Sequence, residues 1–293
     1  MRLIEQNGYE RQRKKLIVAF VIFPVVFLIM FTYWPLLNMI WYSFTSWDGI
    51  SKTKDFVGFK NYVRVLTDPQ YFLVFKVSLF YLIGSVINLF ISLGVATILN
   101  FKVRFKNVFK GVLFFPYLIN GVAVAMMFLF FFQPGGVLDA ILTQLGFEQW
   151  IRQWLGDPGL INYSMVFISM WKGLGFAIVL YLGAMQSIDN SIYEAADVDG
   201  ANKWQVFKGI ILPSIRPVIA LQLILAVKGA LGVFEIPFIM TGGANGSATF
   251  VIQTIKTAFN YNKVGLASAM AMILFLIIIV ITVIQKKLIK EEV

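Results

Sequence analysis

The sequence predicts an all-α integral membrane protein of about six transmembrane helices. Three observations lead there. The chain is 59% hydrophobic and 14% charged, with a mean hydropathy of +0.78, whereas a soluble domain is about half apolar and about a quarter charged. Phe alone occurs 29 times in 293 residues. A water-soluble fold of this length could not hide so much apolar bulk, because a folded monomer still exposes much of its surface. The apolar residues also fall in long continuous runs, unlike the short alternating segments of a β-barrel.

A helix crosses the hydrocarbon core in roughly 20 residues, and backbone in lipid must bond to itself, which helices do. Runs of sufficient length lie at 16–40, 72–100, 108–132, 165–187, 218–240 and 264–285. The first follows Arg11, Arg13, Lys14 and Lys15 and continues through Phe31-Thr32-Tyr33-Trp34-Pro35. A cleavable signal peptide has a shorter apolar core that ends in a small-residue site, so this run is expected to be an uncleaved membrane helix. The stretch 137–155 keeps Leu138, Ile141, Leu142, Leu145 and Ile151 with Trp150 and Trp154. It is too short and too polar to span and is expected as an external interfacial helix. The organisation read from this pattern is an N-terminal tail, first helix and external loop over 1–70, then a core over 71–293 that carries a long loop at 188–217.

The formal net charge is +10. In a soluble chain that balance would suggest nucleic acid; here the distribution of cations follows the positive-inside rule, and no nucleic-acid partner is expected. With the N-terminus inside, the inner segments carry Arg2, Arg11, Arg13, Lys14 and Lys15, then Lys102, Arg104, Lys106 and Lys110, then Lys203, Lys208 and Arg216, then Lys286, Lys287 and Lys290. The outer loops carry fewer, mainly Lys52, Lys54, Lys60, Arg64, Arg152, Lys256 and Lys263. Both termini are therefore expected in the cytoplasm. Trp34, Trp41 and Trp47 then fall at or beyond the outer interface, as aromatic belts do. Cys and His are absent, which excludes disulfides, thiol chemistry, Cys/His metal sites and a catalytic His.

One inner loop is unlike an ordinary connector. It reads Ser191-Ile192-Tyr193-Glu194-Ala195-Ala196-Asp197-Val198-Asp199-Gly200-Ala201, then Phe207, then Ile210-Ile211-Leu212-Pro213 and Pro217. Ser191 followed three residues later by Glu194 is a capping-box pattern and predicts a helix start. Gly200 is placed to end that helix, and a second helical stretch fits 202–209 before Pro213. The expected product is a helix-turn-helix elbow on the cytoplasmic side. Its small residues Ala195, Ala196, Gly200 and Ala201 would allow close approach to a partner, and Glu194, Asp197 and Asp199 would supply polar contacts. On spacing alone, a solvated loop with helical pieces fits as well.

The series Glu-Ala-Ala, Asp-Gly-Ala, Phe, Ile-x-Leu-Pro and Pro resembles the EAA loop of binding-protein-dependent ABC importer permeases, in the form of the carbohydrate branch, the maltose and glycerol-3-phosphate type. The likeness extends along the chain. Trp47 to Phe72, with Phe56-Val57-Gly58-Phe59-Lys60-Asn61-Tyr62 and Asp68-Pro69, resembles the external loop after the first helix. Phe115-Pro116 with Gly135-Gly136-Val137-Leu138-Asp139 resembles the third helix and its exit, and Trp154-Leu155-Gly156-Asp157-Pro158 with Trp171 resembles the approach to the fourth. Two departures stand out. Thr241-Gly242-Gly243 is followed by Ala244-Asn245 where the family usually has Pro, and Asp189-Asn190 stands where Pro often precedes the EAA helix.

The resemblance implies the type I ABC importer permease fold and a pore subunit of an ATP-driven sugar or oligosaccharide importer in a prokaryotic inner membrane. Tyr193, Glu194, Ala195, Ala196, Asp199, Gly200, Ala201, Leu212 and Pro213 would then couple the helices to a cytoplasmic ATPase. The implied complex holds a homologous second permease, two ATP-binding subunits, and an extracellular solute-binding protein. ATP and Mg would be bound by the ATPase subunits; this chain has no Gly-x-x-x-x-Gly-Lys-Ser/Thr loop to cradle phosphates. No catalytic or metal-ligating residue is assigned to the chain itself.

Candidates for the substrate path come from polar residues at membrane depth, where charge is costly and usually faces protein or water. Lys228 and Glu235 lie seven residues apart, hence on one face of a continuous helix, separated along it by about 10 Å; lining a path and structural pairing are both open to them. Asn88 belongs to a polar stripe with Ser85 and Ser92, for which hydrogen bonding between helices is the favoured role. Trp171 and Tyr181 could stack on a sugar, and Asn120 completes the set. An ion-coupled secondary transporter is the first rival reading, but it would need no docking elbow and often carries repeats that are not evident here. A membrane enzyme is the second, but the chain lacks His and Cys and has few carboxylates outside the elbow.

Overall fold

In a computed structural model the backbone is described over residues 2–101 and 105–290, and the side chains over 13–101 and 105–288. Of the cations expected in the cytoplasm, Lys102 and Arg104 lie outside the described residues, as do the side chains of Arg2, Arg11 and Lys290. Among the described residues the regular structure is helical, apart from one isolated antiparallel bridge between Thr45 and Phe56. It divides into two compact units, Met1–Thr67 with Lys256–Ile273, and Asp68–Ile255 with Leu274–Val293.

The first unit is led by α1 (Arg13–Ser43), whose apolar length is exposed throughout. A π-helical turn at Ile29–Tyr33 precedes Pro35. Pro35 has no N–H for the carbonyl of Phe31, and the widened turn absorbs that defect. The chain leaving α1 is held by α2 (Lys60–Thr67). Asn61 Nδ2 donates to the carbonyls of Ser43 (2.9 Å) and Thr45 (2.8 Å), and the Ser43 and Tyr62 hydroxyls share a 2.7 Å bond. Gly265 lies against the same turn: its N–H donates to the Trp47 carbonyl at 2.9 Å, and a Cβ there would overlap the Thr45 carbonyl.

The second unit begins at α3 (Pro69–Asn100). Asp68 caps it by accepting from Gln70 N at 3.1 Å, with Pro69 in the first turn where its missing donor does no harm. The central helix is α7 (Ile161–Gln186), which packs on α3 and on α4 (Lys106–Leu118). Small residues allow this proximity, as is usual between helices in lipid: a Cβ at Gly84 would overlap Val166, and one at Gly175 would overlap the Leu113 carbonyl.

The third apolar run is not one straight helix. α4 and α5 (Gly121–Phe132) meet at 93°. Pro116 weakens the end of α4, and Asn120 then starts a new helix by accepting from Val122 N at 2.8 Å. The stretch 137–155 likewise divides, into α6 (Val137–Gln144) and a 3₁₀ turn at Glu148–Trp150. Buried Asp139 pins the segment after that turn, accepting from Gly135 N and from Trp154 Nε1, both at 2.8 Å. These contacts join two segments that are separate in the sequence.

Beyond α7 the chain forms α8 (Asn190–Val198) and α9 (residues 203–214, with a π-helical turn at Phe207–Ile211). It continues through α10 (Arg216–Leu231), α11 (Glu235–Thr241) and α12 (Phe250–Ile255) to α13 (Val264–Leu288). Among the described residues, five helices are long and apolar enough to cross a membrane, or six if α4 and α5 make one broken span. The second unit has two apolar cores. One gathers Tyr81, Phe128, Ile161, Met165 and Ile236; the other, at the α8–α9 end, gathers Leu99, Ile178, Tyr181, Met185, Ala196, Ile211 and Ile215.

Candidate functional site

The elbow is built from local rules. Asp189, not Ser191, caps α8: its carboxylate accepts from Ser191 N at 2.9 Å. The capping box expected from Ser191 and Glu194 is therefore not formed, because the residue two positions ahead takes the cap. That donation from the Ser191 backbone holds the Asp189 carboxyl below the usual carboxylate range. At the other end Gly200 adopts φ +74°, its N–H donates to the Asp197 carbonyl (3.2 Å), and Ala201 N donates to that of Ala196 (2.9 Å). This is a Schellman ending. One residue later a capping box does appear: Asn202 Oδ1 accepts from Gln205 N at 3.0 Å while Gln205 Oε1 accepts from Asn202 N at 2.8 Å. α9 then runs through Pro213, where the sequence suggested that it would stop, because the π-helical turn spans the Gly209 carbonyl that Pro213 cannot satisfy.

The elbow has two faces. Ala196 is buried in the core, Ala201, Leu212 and Tyr193 are half-buried, and Val206 and Ile211 of α9 and Ile215 just after it are buried in the same core. The Tyr193 hydroxyl donates to the Met185 carbonyl (3.3 Å) and accepts from Asn100 Nδ2 (3.5 Å). Partial burial pushes its pKa up, against the Asn100 hydrogen bond. On the other face Glu194, Ala195, Asp197, Val198, Asp199 and Gly200 are exposed, as is Pro213 on α9. Val198 is 88% exposed. That bare apolar side chain is flanked by the exposed carboxylates of Asp197 and Asp199.

The residues expected at membrane depth are rearranged. Lys228 and Glu235 do not share a helix face, because the helix is interrupted at 232–234 between α10 and α11. Gly232 closes α10 on the Lys228 carbonyl (3.0 Å), and Thr249 Oγ1 donates to the Val233 carbonyl left open by the break (2.8 Å). Glu235, at the start of α11, instead faces Lys172 of α7, with Nζ to Oε2 at 3.9 Å. The two side chains, Lys172 and Glu235, are 23% and 47% exposed, respectively. A Cβ at Gly121 would overlap the Glu235 carboxylate. The break at residues 119–120 between α4 and α5 and the break before Glu235 thus meet, with Lys172 beside them. Lys228 is exposed and has no carboxylate within 4 Å among the described residues.

Asn88 and Tyr181 pack between helices. Asn88 is buried and donates to the Met170 carbonyl at 3.4 Å, and Ser92 donates to that of Leu174 at 3.4 Å, so the stripe serves the α3–α7 contact. Tyr181 is wholly enclosed in the elbow-end core. Trp171 is half-buried, edge-on to Phe128 with centroids 5.2 Å apart. Lys172, a cation inside the fourth apolar run, was not among the residues expected at membrane depth, although its charge there is a signal the sequence carries.

Residues 88–291 match the protein family described as binding-protein-dependent transport system inner membrane component. The chain belongs to that family. It is a multi-pass inner-membrane permease subunit of a binding-protein-dependent ABC system, which works with a solute-binding protein and an ATPase partner. It is 32% identical to the probable ABC transporter permease protein YurN of Bacillus subtilis over 95% of this chain and 97% of the relative. It is 33% identical to the multiple sugar-binding transport system permease protein MsmF of Streptococcus mutans, over 93% and 94%. A crystal structure of a bacterial ABC transporter that imports the acidic polysaccharide alginate contains a chain of the same fold. The TM-score is 0.83 at 22% identity, covering 98% of this permease and 99% of that chain. The departure Ala244-Asn245 has a structural use in this permease: Asn245, at φ +53°, donates from Nδ2 to the Leu155 carbonyl at 2.9 Å.

Proposed function

We propose that this permease forms one half of the pore of a sugar or oligosaccharide importer, with the elbow face around Glu194 and Val198 seated in a cytoplasmic ATPase subunit. The observation that carries the reading is the two-faced elbow. Its inner face is locked into the helix bundle by Ala196, Ile211 and Ile215, while its outer face is bare. A push on that outer face is transmitted to α7 and α10, because the elbow joins their ends and is capped rigidly at each turn. The sugar class rests on the sugar-transport relatives at about one-third identity. In this reading Glu194, Ala195, Asp199, Gly200 and Pro213 face the ATPase, and Tyr193, Ala196, Ala201 and Leu212 hold the elbow to the bundle. ATP and Mg sit on two ATPase subunits, a homologous second permease completes the pore, and both termini are cytoplasmic.

For the path we propose Asn120, Lys172 and Glu235, with Trp171 beside them. Two helix breaks leave backbone polar groups at membrane depth, where irregular backbone is tolerated only against protein or a water-filled cavity. Alternating access requires two packings of similar energy, and broken helices are suited to shifting between them. The test is reconstitution with the ATPase subunits and binding protein in liposomes, then measurement of substrate-stimulated ATP hydrolysis and uptake. Glu194→Ala should lower both while leaving permease levels intact; unchanged uptake would remove Glu194 from the docking face.

A further inference from the structure

Beside the elbow, lined by its Tyr193, Asp197 and Ala201 among others, lies a cavity of about 750 Å³. Lys106 and Lys110 of α4 and Lys203 of α9 line it, together with the amides of Asn107 and Asn190. Among the described residues that line it, Asp197 is the only carboxylate. None of the three lysines has a carboxylate within 4 Å among the described residues; Lys203 Nζ rests 5.3 Å from the Phe101 ring centroid. The cavity therefore carries an excess of positive charge that its described lining does not balance. It lies where α3 ends, α4 begins and α7 ends, at the end of these apolar spans.

A second feature adjoins it. An apolar groove of about 540 Å³ shares Phe101 and Lys203 with the cavity and continues along Gly94, Ile98, Trp204 and Phe207. A Cβ at Gly94 would meet nothing within 4 Å, so the groove is open along α3. Trp204 is 68% exposed and stacks on Phe207 with centroids 5.4 Å apart. An indole at this level is typical of the membrane interface. A cationic head chamber joined to an apolar channel matches one molecule in both halves. A free phosphate would not use the groove, and an acidic peptide would not need it.

We propose that this cavity and groove hold an anionic phospholipid, its phosphate among Lys106, Lys110 and Lys203 and one acyl chain along Ile98, Trp204 and Phe207. Basic pockets between helix ends bind such headgroups by the same electrostatics. The site needs only that this end of the bundle meets a lipid surface, and it is independent of the sugar reading. Bound there, the lipid bridges α4 to α9 and stiffens the elbow.

The test uses the purified transporter with its ATPase subunits. Native mass spectrometry would count phosphatidylglycerol and phosphatidylcholine retained from mixed micelles of equal composition. The wild type should retain phosphatidylglycerol at least about tenfold over phosphatidylcholine. The triple variant Lys106→Gln/Lys110→Gln/Lys203→Gln should fall to parity, and the triple Lys→Arg variant should keep the preference, which separates charge from misfolding. Quenching of Trp204 by a brominated phosphatidylglycerol, identified by its loss in Trp204→Phe, should report the chain in the groove. The proposal is overturned by equal retention of both lipids in the wild type. It is also overturned if inorganic phosphate alone displaces the lipid signal at the lysines without any Trp204 quenching, or if the Gln variant sheds ATPase subunits while its lipid preference is unchanged.

Discussion

Replacing Gly200 by Ala isolates the backbone conformation that terminates the elbow helix. At φ +74° an L-residue loses about 1–2 kcal/mol to the left-handed region. A Cβ at Gly200 would touch nothing within 4 Å, so no steric term confuses the result. Ala also restricts the unfolded chain and recovers roughly 0.4–1 kcal/mol. The net loss is about 1 kcal/mol, or roughly fivefold in the equilibrium between closed and open elbow. Gly200→Asn should recover much of this, because Asn visits that region readily. The assay is hydrogen exchange by mass spectrometry on the reconstituted transporter, in fragments covering 190–201. The Gly200 and Ala201 amides, held at 3.2 and 2.9 Å by the Asp197 and Ala196 carbonyls, should exchange about fivefold faster in the Ala variant and close to the wild-type rate in the Asn variant. If Ala and Asn behave alike, or if Ala matches the wild type, the Schellman ending does not limit elbow opening.

Four further outcomes are expected. Trp154→Phe removes a charge-assisted bond from buried Asp139; it should destabilise the solubilised protein by about 1.5–3 kcal/mol, seen as a lower thermal midpoint, whereas a Phe variant as stable as wild type refutes the pin. Glu235→Gln should lower uptake more than it lowers stability, since the Lys172 pair is partly exposed at 3.9 Å; equal uptake by wild type and variant removes Glu235 from the path. Asp189 is held below its ordinary value of 3.8 by the Ser191 amide. Its stabilisation of α8 is thus present above that value and lost as pH falls through the lower folded one, so exchange at 190–193 should quicken there in the wild type and show no such step in Asp189→Ala. Gly175→Val forces a side chain into the Leu113 carbonyl and should prevent α4 from seating on α7, read as loss of folded protein in the membrane fraction; a normally folded variant contradicts the packing.

Much of this was legible because lipid simplifies the code. Length and apolarity alone mark the spans, as for α3, α7 and α13. The elbow was legible because Gly200 and the Asn/Asp caps act within a few residues of themselves, although the cap was assigned to Ser191 when Asp189 competes for the same helix start. The breaks were harder. Pro116 and Asn120 lie inside a run that is apolar on both sides, and hydropathy does not register a 93° turn. The same limit misplaced Lys228, whose seven-residue spacing from Glu235 means a shared face only if no turn intervenes, and Gly232 begins one.

By itself the sequence determined the helical membrane class, the elbow and its family, since each rests on local composition or on residues near one another in the chain. Only tertiary structure decided which groups meet: Glu235 with Lys172, Asn88 with the α7 backbone, Trp154 with Asp139. Those pairings depend on where helices cross and break. In lipid, crossing points are set by small-residue contacts such as Gly84 on Val166 and Gly175 on Leu113, whose partners lie many residues away and leave no mark on the local pattern.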